Sequence, residues 1–331
     1  MNVPPGDTTT MQYLRENLAV HELPGFPSGA ITDDSIEVPG VKQVIRHTWA
    51  LGPAMVYVKE LALFLFEYLS AHKEYSKTRC VRNSKTDRDV LLVGNGPSKG
   101  FLDTQELREF RHSGGEIIGV NYWPEDQRLG TVEPDFLVVS DPSTLNPKVK
   151  RDRIAQKNDT LERYLLAHDS VGIIAPFARV NEFSVLFGGH RVWGFCDRKS
   201  PRSLRIISPL LPRSYSSMTL YKALALTVFM GYKRIFVIGM DNTYPRDIYV
   251  SPANVVLNIE RHSGESTYVN PLPHRSVAAR LRGFARLFED AGLFSKYPIW
   301  NLDPFSLTDA FAKSVPSDVL LGEVVRKYRS Q

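Results

Sequence analysis

Cysteine is scarce in this chain: Cys80 and Cys196 are the only two, far apart and outside any metal-ligand spacing. That excludes a disulfide framework and fits a reducing, cytoplasmic setting. Long apolar runs are missing as well. The most apolar stretch, 49–69, is interrupted by Lys59, Glu60 and Glu67, so it is not expected to span a bilayer. Met1 is followed by Asn-Val-Pro-Pro-Gly-Asp, with neither a basic start nor an apolar core, and no secretory signal is expected there. No internal repeat or low-complexity tract occurs. No basic run alternates with aromatics, so no nucleic-acid partner is expected. A P-loop is excluded because no Gly-Lys-Ser/Thr follows at the required spacing.

What is present is a 331-residue chain, enough for one large α/β domain plus an extension. A formal charge of +5 suits an anionic partner, including a membrane surface that carries anionic glycolipids, and equally suits a mildly basic globular protein. Residues 1–40 are rich in Pro, Gly, Thr and Asp and read as a loop or arm. Over 41–73 the pattern turns helical, with Val58, Leu61, Leu65, Tyr68 and Leu69 on one stripe and Lys59, Glu60 and Glu67 opposite. Such a stripe packs on the protein's own core, on a second copy or on a membrane interface. The polar segment 74–88 reads as a linker. The domain division expected is therefore an arm and helical extension over 1–88 and a main domain over 89–331.

In the main domain, short β-rich runs at 89–93, 116–120, 136–140, 171–175, 191–195, 234–238 and 297–302 alternate with helical stretches. Val90-Leu91-Leu92-Val93 and Ile235-Phe236-Val237-Ile238 are apolar on both faces, as central parallel strands require. The alternation predicts an α/β fold: a Rossmann-like, doubly wound, mainly parallel sheet with an N-terminal helical extension. Ligands of such sheets sit beyond the C-terminal strand ends.

The first strand runs straight into Gly94-Asn95-Gly96-Pro97-Ser98, a turn whose glycines let backbone approach a phosphate or ribose. A nucleotide-binding turn is expected here; the competing reading is a purely structural turn. A dinucleotide fingerprint fits less well. The spacing is Gly-x-Gly-x-x-x-Gly, and the second strand ends at Asn121, while Glu116 lies at its start and so at the wrong end of the sheet. The third strand finishes at Ser140-Asp141, and the sixth at Gly239-Met240-Asp241, followed by Tyr244 and Tyr249. Two phenols beside a strand end can donate to a leaving phosphate without a metal. The one Asp-x-Asp, Asp87-Arg88-Asp89, leads into the first strand and reads as surface charge, so no metal site and no cofactor is expected.

Five segments occur in the order found in bacterial lipooligosaccharide sialyltransferases of glycosyltransferase family 42. They are Leu91-Leu92-Val93-Gly94-Asn95-Gly96-Pro97-Ser98, the stretch from Ala223 to Ile235, Gly239-Met240-Asp241, Pro273-His274-Arg275-Ser276, and the run from Asn301 to Leu307. Over about 89–312 the chain resembles a divergent relative of that family. The resemblance implies a Rossmann-like domain of the GT-A-variant type and metal-independent, inverting transfer of an acidic sugar from a CMP donor. The sugar would be sialic acid, another nonulosonate or Kdo, and the acceptor a glycan or glycolipid of bacterial lipopolysaccharide or capsule. It further implies that Asn95, Ser98, Asn121, Asp141, Ser216, Ser217 and Thr219 contact the nucleotide, with Gly94, Gly96, Pro97 and Asp241 shaping that site. Tyr244 and Tyr249 would stabilise the leaving phosphate and His274 would be the general base. Asp141 replaces a family asparagine, Pro271 a tyrosine and Lys99 a leucine. Peripheral contact with the inner membrane face and homo-oligomerisation stay open. Two other readings are a pterin pyrophosphokinase-like enzyme, which shares the Gly-Pro-Ser turn, and a non-catalytic Rossmann-like scaffold.

Overall fold

The computed structural model describes residues 51–126, 128–145, 152–242, 245, 248–250, 256–261, 267–272 and 277–316, with 51–56, 152, 153, 249, 258–261 and 267–272 as backbone alone. Eight strands form one sheet: β1 Asp89–Val93, β2 Glu116–Val120, β3 Phe136–Val138, β4 Gly172–Pro176, β5 Val192–Phe195, β6 Arg234–Ile238, β10 Ile299–Asn301 and β11 Ala312–Lys313. Their spatial order is β11-β10-β6-β1-β2-β3-β4-β5, and every pairing is parallel. This is the α/β, doubly wound parallel architecture that the alternating pattern predicts. All seven expected strands are present within two residues of their expected ends, and β11 is an addition the sequence did not signal.

Period-two alternation builds the core on both faces. Leu91, Val93, Ile117, Phe236 and Ile238 join one buried cluster, while Val90, Leu92, Ile118, Ile235 and Val237 join the other. Each such aliphatic side chain removed from water stabilises the fold by roughly 1.5–3 kcal/mol. The helices supply the outer layers. Helix α3, Thr104–His112, begins at Asp103, whose side chain accepts from Gln105 N at 2.6 Å while Glu106 reaches back to Asp103 N, a reciprocal cap. Helix α6, Thr219–Met230, is buried from Leu220 to Thr227 and ends on Gly231 in the left-handed region. Helix α4 is Asp152–Ala167, α5 is Val180–Leu186 and α7 is Val277–Gly292.

Three expectations change. The supposed linker contains helix α2, His72–Cys80, whose Thr78 hydroxyl donates to Gly194 O at 2.9 Å on edge strand β5. Between the strands expected at 234–238 and 297–302 lies an antiparallel sheet to which no expected strand corresponds, made of β7 Ile248–Val250, β8 Val256–Arg261 and β9 Thr267–Leu272. Helix α1, Leu51–Ser70, is turned over relative to its expected stripe: Val58, Leu61, Leu65, Tyr68 and Leu69 are exposed, Leu69 at 73%. Glu67, expected outside, is 7% exposed. The reason lies far away in the chain. Arg198 Nε donates to Glu67 at 3.0 Å, Tyr75 Oη to the same carboxylate at 3.3 Å, and Lys199 N to Glu60 at 3.4 Å. Burial raises the Glu67 carboxyl above the usual carboxylate range, opposed by Arg198. Among the described residues no helix is long and apolar enough to cross a membrane, and Cys80 and Cys196 are both free thiols.

The centre of the sheet depends on Gly239, which has φ +75° and lies against the backbone of Gly94, within 3 Å of where its own Cβ would fall. Gly239→Ala combines left-handed strain with a backbone clash and should destabilise by roughly 3 kcal/mol. Gly100, with nothing within 4 Å of a built Cβ, is the control. Denaturant titrations of both variants should leave Gly100→Ala within about 0.5 kcal/mol of wild type.

Candidate functional site

After β1 the chain winds outward through β2, β3, β4 and β5, then crosses back to place β6 on the other side of β1. The carboxyl edge at β1 and β6 is therefore the topological switch point. The expected nucleotide turn and the Gly239-Met240-Asp241 run both emerge there. Gly94 N donates to Ile238 O at 2.7 Å and Gly96 N to Gly239 O at 3.1 Å. Ser98 N donates to Asp241 Oδ1 at 2.9 Å, and Gly239 N donates to Ser98 Oγ at 2.9 Å. A Cβ on Gly96 would fall on Asp241 Oδ2. The glycines of this turn thus make room for the neighbouring loop and its carboxylate. Of the five turn residues, half-buried Asn95 has a side chain without a hydrogen-bond partner among the described residues.

Opposite the turn, Asp241 faces Asp303, at the end of β10; the two are 6% and 3% exposed. Burial first, and then the neighbouring Asp303 carboxyl, push the Asp241 carboxyl up to about 6, and its buried Oδ2 has no hydrogen-bond partner among the described residues. Like charges this close cannot both ionise cheaply, so Asp241 keeps its proton to a higher pH than an exposed aspartate does. Asp303 Oδ1 accepts from Phe305 N at 2.9 Å, and Asp303 N donates to Asn301 Oδ1 at 3.1 Å. Lys313 Nζ donates to Ser306 O at 2.7 Å nearby, its amine drawn below the lysine range by burial.

A second constellation spans the ends of β2 and β3 and the start of α6. Asn121 adopts φ +46°, a left-handed conformation asparagine tolerates. Its Oδ1 accepts from Ser140 N at 3.1 Å and its Nδ2 donates to Thr219 Oγ1 at 3.0 Å. Ser140 Oγ lies 2.7 Å from Thr219 Oγ1. Beneath them Lys222 Nζ reaches Ser140 Oγ at 3.2 Å and Asp197 at 2.8 Å. Arg213 Nε also pairs with Asp197, at 3.0 Å. Lys222 and Arg213 are each 3% exposed. Helix α6 has Met218 at its N-cap, which offers no side-chain acceptor; Tyr221 N donates to Met218 O at 3.1 Å, and the Thr219 and Leu220 amides are the ones left for an anion.

The structure brings Gly94, Asn95, Gly96, Pro97, Ser98 and Asp241 together at one place, and Asn121, Asp141 and Thr219 at another on the same carboxyl edge. One expected contact is already engaged, as Asp141 Oδ1 accepts from Ser143 N and Oγ at 2.8 and 2.6 Å; Ser216 N donates to Asp290 at 2.8 Å, while the buried Ser216 hydroxyl has no hydrogen-bond partner among the described residues. Ser217 is exposed just before α6. Tyr249 stands on β7 opposite Leu257, with only its backbone described, and Tyr244 and His274 lie outside the described residues. Glu116 and the Asp87-Arg88-Asp89 run sit at the opposite edge as expected. There Lys85 and Arg88 pair with Glu116 at 2.6 Å, and Asp89 pairs with Arg234. Among the described residues no three His, Cys, Asp or Glu gather as a metal group would.

Sequence reasoning missed Lys222, Asp197 and Arg213, and gave no role to Asp303 or Lys99. The last is 2% exposed, with its ammonium 5.4 Å from the Trp123 ring and burial pulling it down to about 8. A lysine within an otherwise apolar helix, as Lys222 is in Leu220–Met230, was the available signal.

No family model matches the sequence, and no curated protein matches it. A solved structure, "Structure of MAf glycosyltransferase from Magnetospirillum magneticum AMB-1", aligns with 13% identity and a TM-score of 0.39, covering 78% of this chain and 42% of that chain. The chain thus spans less than half the length of that protein.

Because the folded Asp241 carboxyl is raised, its stabilising effect is present in full below about 4, the unfolded value, and is lost as pH rises through about 6. Asp241→Asn keeps an acceptor for Ser98 N and a donor for Asp303. Thermal melts from pH 4 to 7 should show wild type losing up to roughly 2 kcal/mol more than the variant across that window. Parallel pH curves would exclude a raised Asp241 carboxyl.

Proposed function

We propose that this chain is an inverting, metal-independent glycosyltransferase that moves an acidic sugar from a CMP donor to a glycan or glycolipid acceptor in bacterial lipopolysaccharide or capsule synthesis. The reading has it work in the cytoplasm, at the inner membrane face. One observation carries it: two of the resembling segments, Gly94–Ser98 and Gly239–Asp241, meet at the carboxyl edge of the sheet, and on the same edge Asn121, Ser140 and Thr219 bond to one another at the start of α6. Hydroxyls and free helix amides suit a nucleotide phosphate. In this reading His274 takes the proton of an acceptor hydroxyl as its oxygen bonds to the anomeric carbon. The bond from that carbon to the phosphate oxygen breaks with its electron pair, and CMP leaves. Tyr244, Tyr249 and the amides at the start of α6 meet the charge that builds on the leaving phosphate. The donor sugar is a nonulosonate or Kdo, and Asp141 and Pro271, which depart from the family pattern, bear on which.

A second reading is favoured by the Asp241–Asp303 pair: a pyrophosphokinase-like enzyme using ATP with magnesium, for which two facing carboxyls at adjacent strand ends supply acidic ligands. Thermal shift separates the two, with CMP in EDTA stabilising a transferase and ATP with magnesium the alternative. A scaffold would respond to neither.

The decisive assay follows CMP release from CMP-sialic acid, CMP-Kdo and CMP-legionaminic acid, in EDTA, with and without pooled glycan acceptors. One donor should turn over without metal, and His274→Ala should lower transfer by about 10²–10⁴-fold while CMP still binds. No turnover of any donor, together with no CMP-induced thermal shift, would sink the transferase reading.

A further inference from the structure

We propose that Lys222 acts on the bound nucleotide phosphate through a relay of two hydroxyls, Ser140 and then Thr219, so that the Thr219 O–H is the group presented to the ligand. The inference rests on the reading that a nucleotide phosphate occupies the start of α6; the relay itself follows from hydrogen-bond accounting.

Asn121 fixes the first direction. Its Oδ1 accepts from two backbone amides, Ser140 N at 3.1 Å and Asp141 N at 3.4 Å, so the oxygen must face β3 and the NH₂ must face Thr219. Thr219 Oγ1 therefore accepts from Asn121 Nδ2 at 3.0 Å. Lys222 fixes the second, because an ammonium only donates. Ser140 Oγ thus accepts from Lys222 at 3.2 Å. The remaining question is who donates across the 2.7 Å Ser140–Thr219 contact. If Thr219 donated, the Ser140 proton would have no acceptor, and Ser140 is 4% exposed. A buried unsatisfied donor is costly. If Ser140 donates, every buried atom is satisfied, and the proton left over belongs to Thr219, which is half-buried at the uncapped end of a 12-residue helix. That arrangement wins.

An ammonium at the head of the chain polarises both hydroxyls toward the open end. Asp197 holds Lys222 in place, at 2.8 Å to Oδ1 and 2.9 Å to Oδ2, and is itself shared with Arg213. Arg213 and Asp141 are the other charges in range of Lys222; Arg213 is paired with Asp197, and Asp141 Oδ1 is committed to Ser143. The effect accordingly runs through the hydrogen bonds. Lys222 is a positioning residue and need never touch the ligand.

The test is calorimetric binding of CMP in EDTA, and of ATP with magnesium and inorganic pyrophosphate, to wild type, Thr219→Ser, Thr219→Ala, Ser140→Ala, Lys222→Met and the Ser140→Ala/Lys222→Met double variant. Thr219→Ser should bind like wild type, while Thr219→Ala and Ser140→Ala should weaken binding about tenfold. The double variant should bind no worse than Ser140→Ala, because cutting the chain once removes the influence of Lys222. Ser140→Ala keeps every charge, so it answers the question even if Lys222→Met does not fold. Wild-type CMP binding with an unaffected Ser140→Ala overturns the relay and spares the transferase reading. Binding of only ATP or pyrophosphate, with the same Ser140 and Lys222 dependence, keeps the relay and overturns the CMP reading. Binding of none of the three overturns both.

Discussion

Two glycine backbones in contact set the geometry on which the rest of this molecule depends. β1 and β6 are neighbours in the sheet, yet their chains leave it at a switch point, and the loops that follow must pass each other at once. They do so because neither Gly94 nor Gly239 has a side chain: a Cβ on Gly94 would lie 2.5 Å from Gly239 O. The closeness lets Ser98 bond to both Gly239 and Asp241, 141 and 143 residues away. A turn that reads as a phosphate cradle is, in the structure, first a lock between two strand ends. Whatever ligand it meets must share the space with the Asp241 carboxyl.

The carboxyl edge then divides into two unlike halves. On the β6–β10 side two buried carboxyls face each other, and the Asp241 carboxyl is raised to about 6. On the β2–β3 side a lysine, an aspartate, an asparagine and two hydroxyls form a network with few unused donors. Helix α6 ties this second half to the core. Its apolar body is buried against the sheet, and its first turn carries Thr219 and Lys222 to the edge. Rigid packing behind a polar end is what keeps a binding site in place.

Much of this architecture was legible in the residues. Runs such as Val90–Val93 are apolar on both faces, so they could only be central parallel strands, and the residues just after them could only lie on the carboxyl edge. The placing of Glu116 and Asp87-Arg88-Asp89 at the opposite edge followed from the same reasoning. The outward face of α1 was not legible. Nearly every position of that helix is apolar, so its period left the choice of face to Glu60 and Glu67, and those were drawn inward by Arg198, 131 residues beyond Glu67, and by the backbone of Lys199. The antiparallel sheet β7–β9 was missed for a related reason: strands of three to six residues gain their stability from one another more than from their own composition.

By itself the sequence determined where seven strands of the parallel sheet begin and end to within two residues, and hence which residues follow each, because period-two spacing is a local property of the chain. Only the tertiary structure decided that β6 returns beside β1, that Asp241 meets both Gly96 and Asp303, and that Lys222 reaches Ser140 across 82 positions. Those contacts join residues whose spacing in sequence carries no period. They arise when packing the whole apolar core closes long loops at once, and only then do buried polar groups choose their partners.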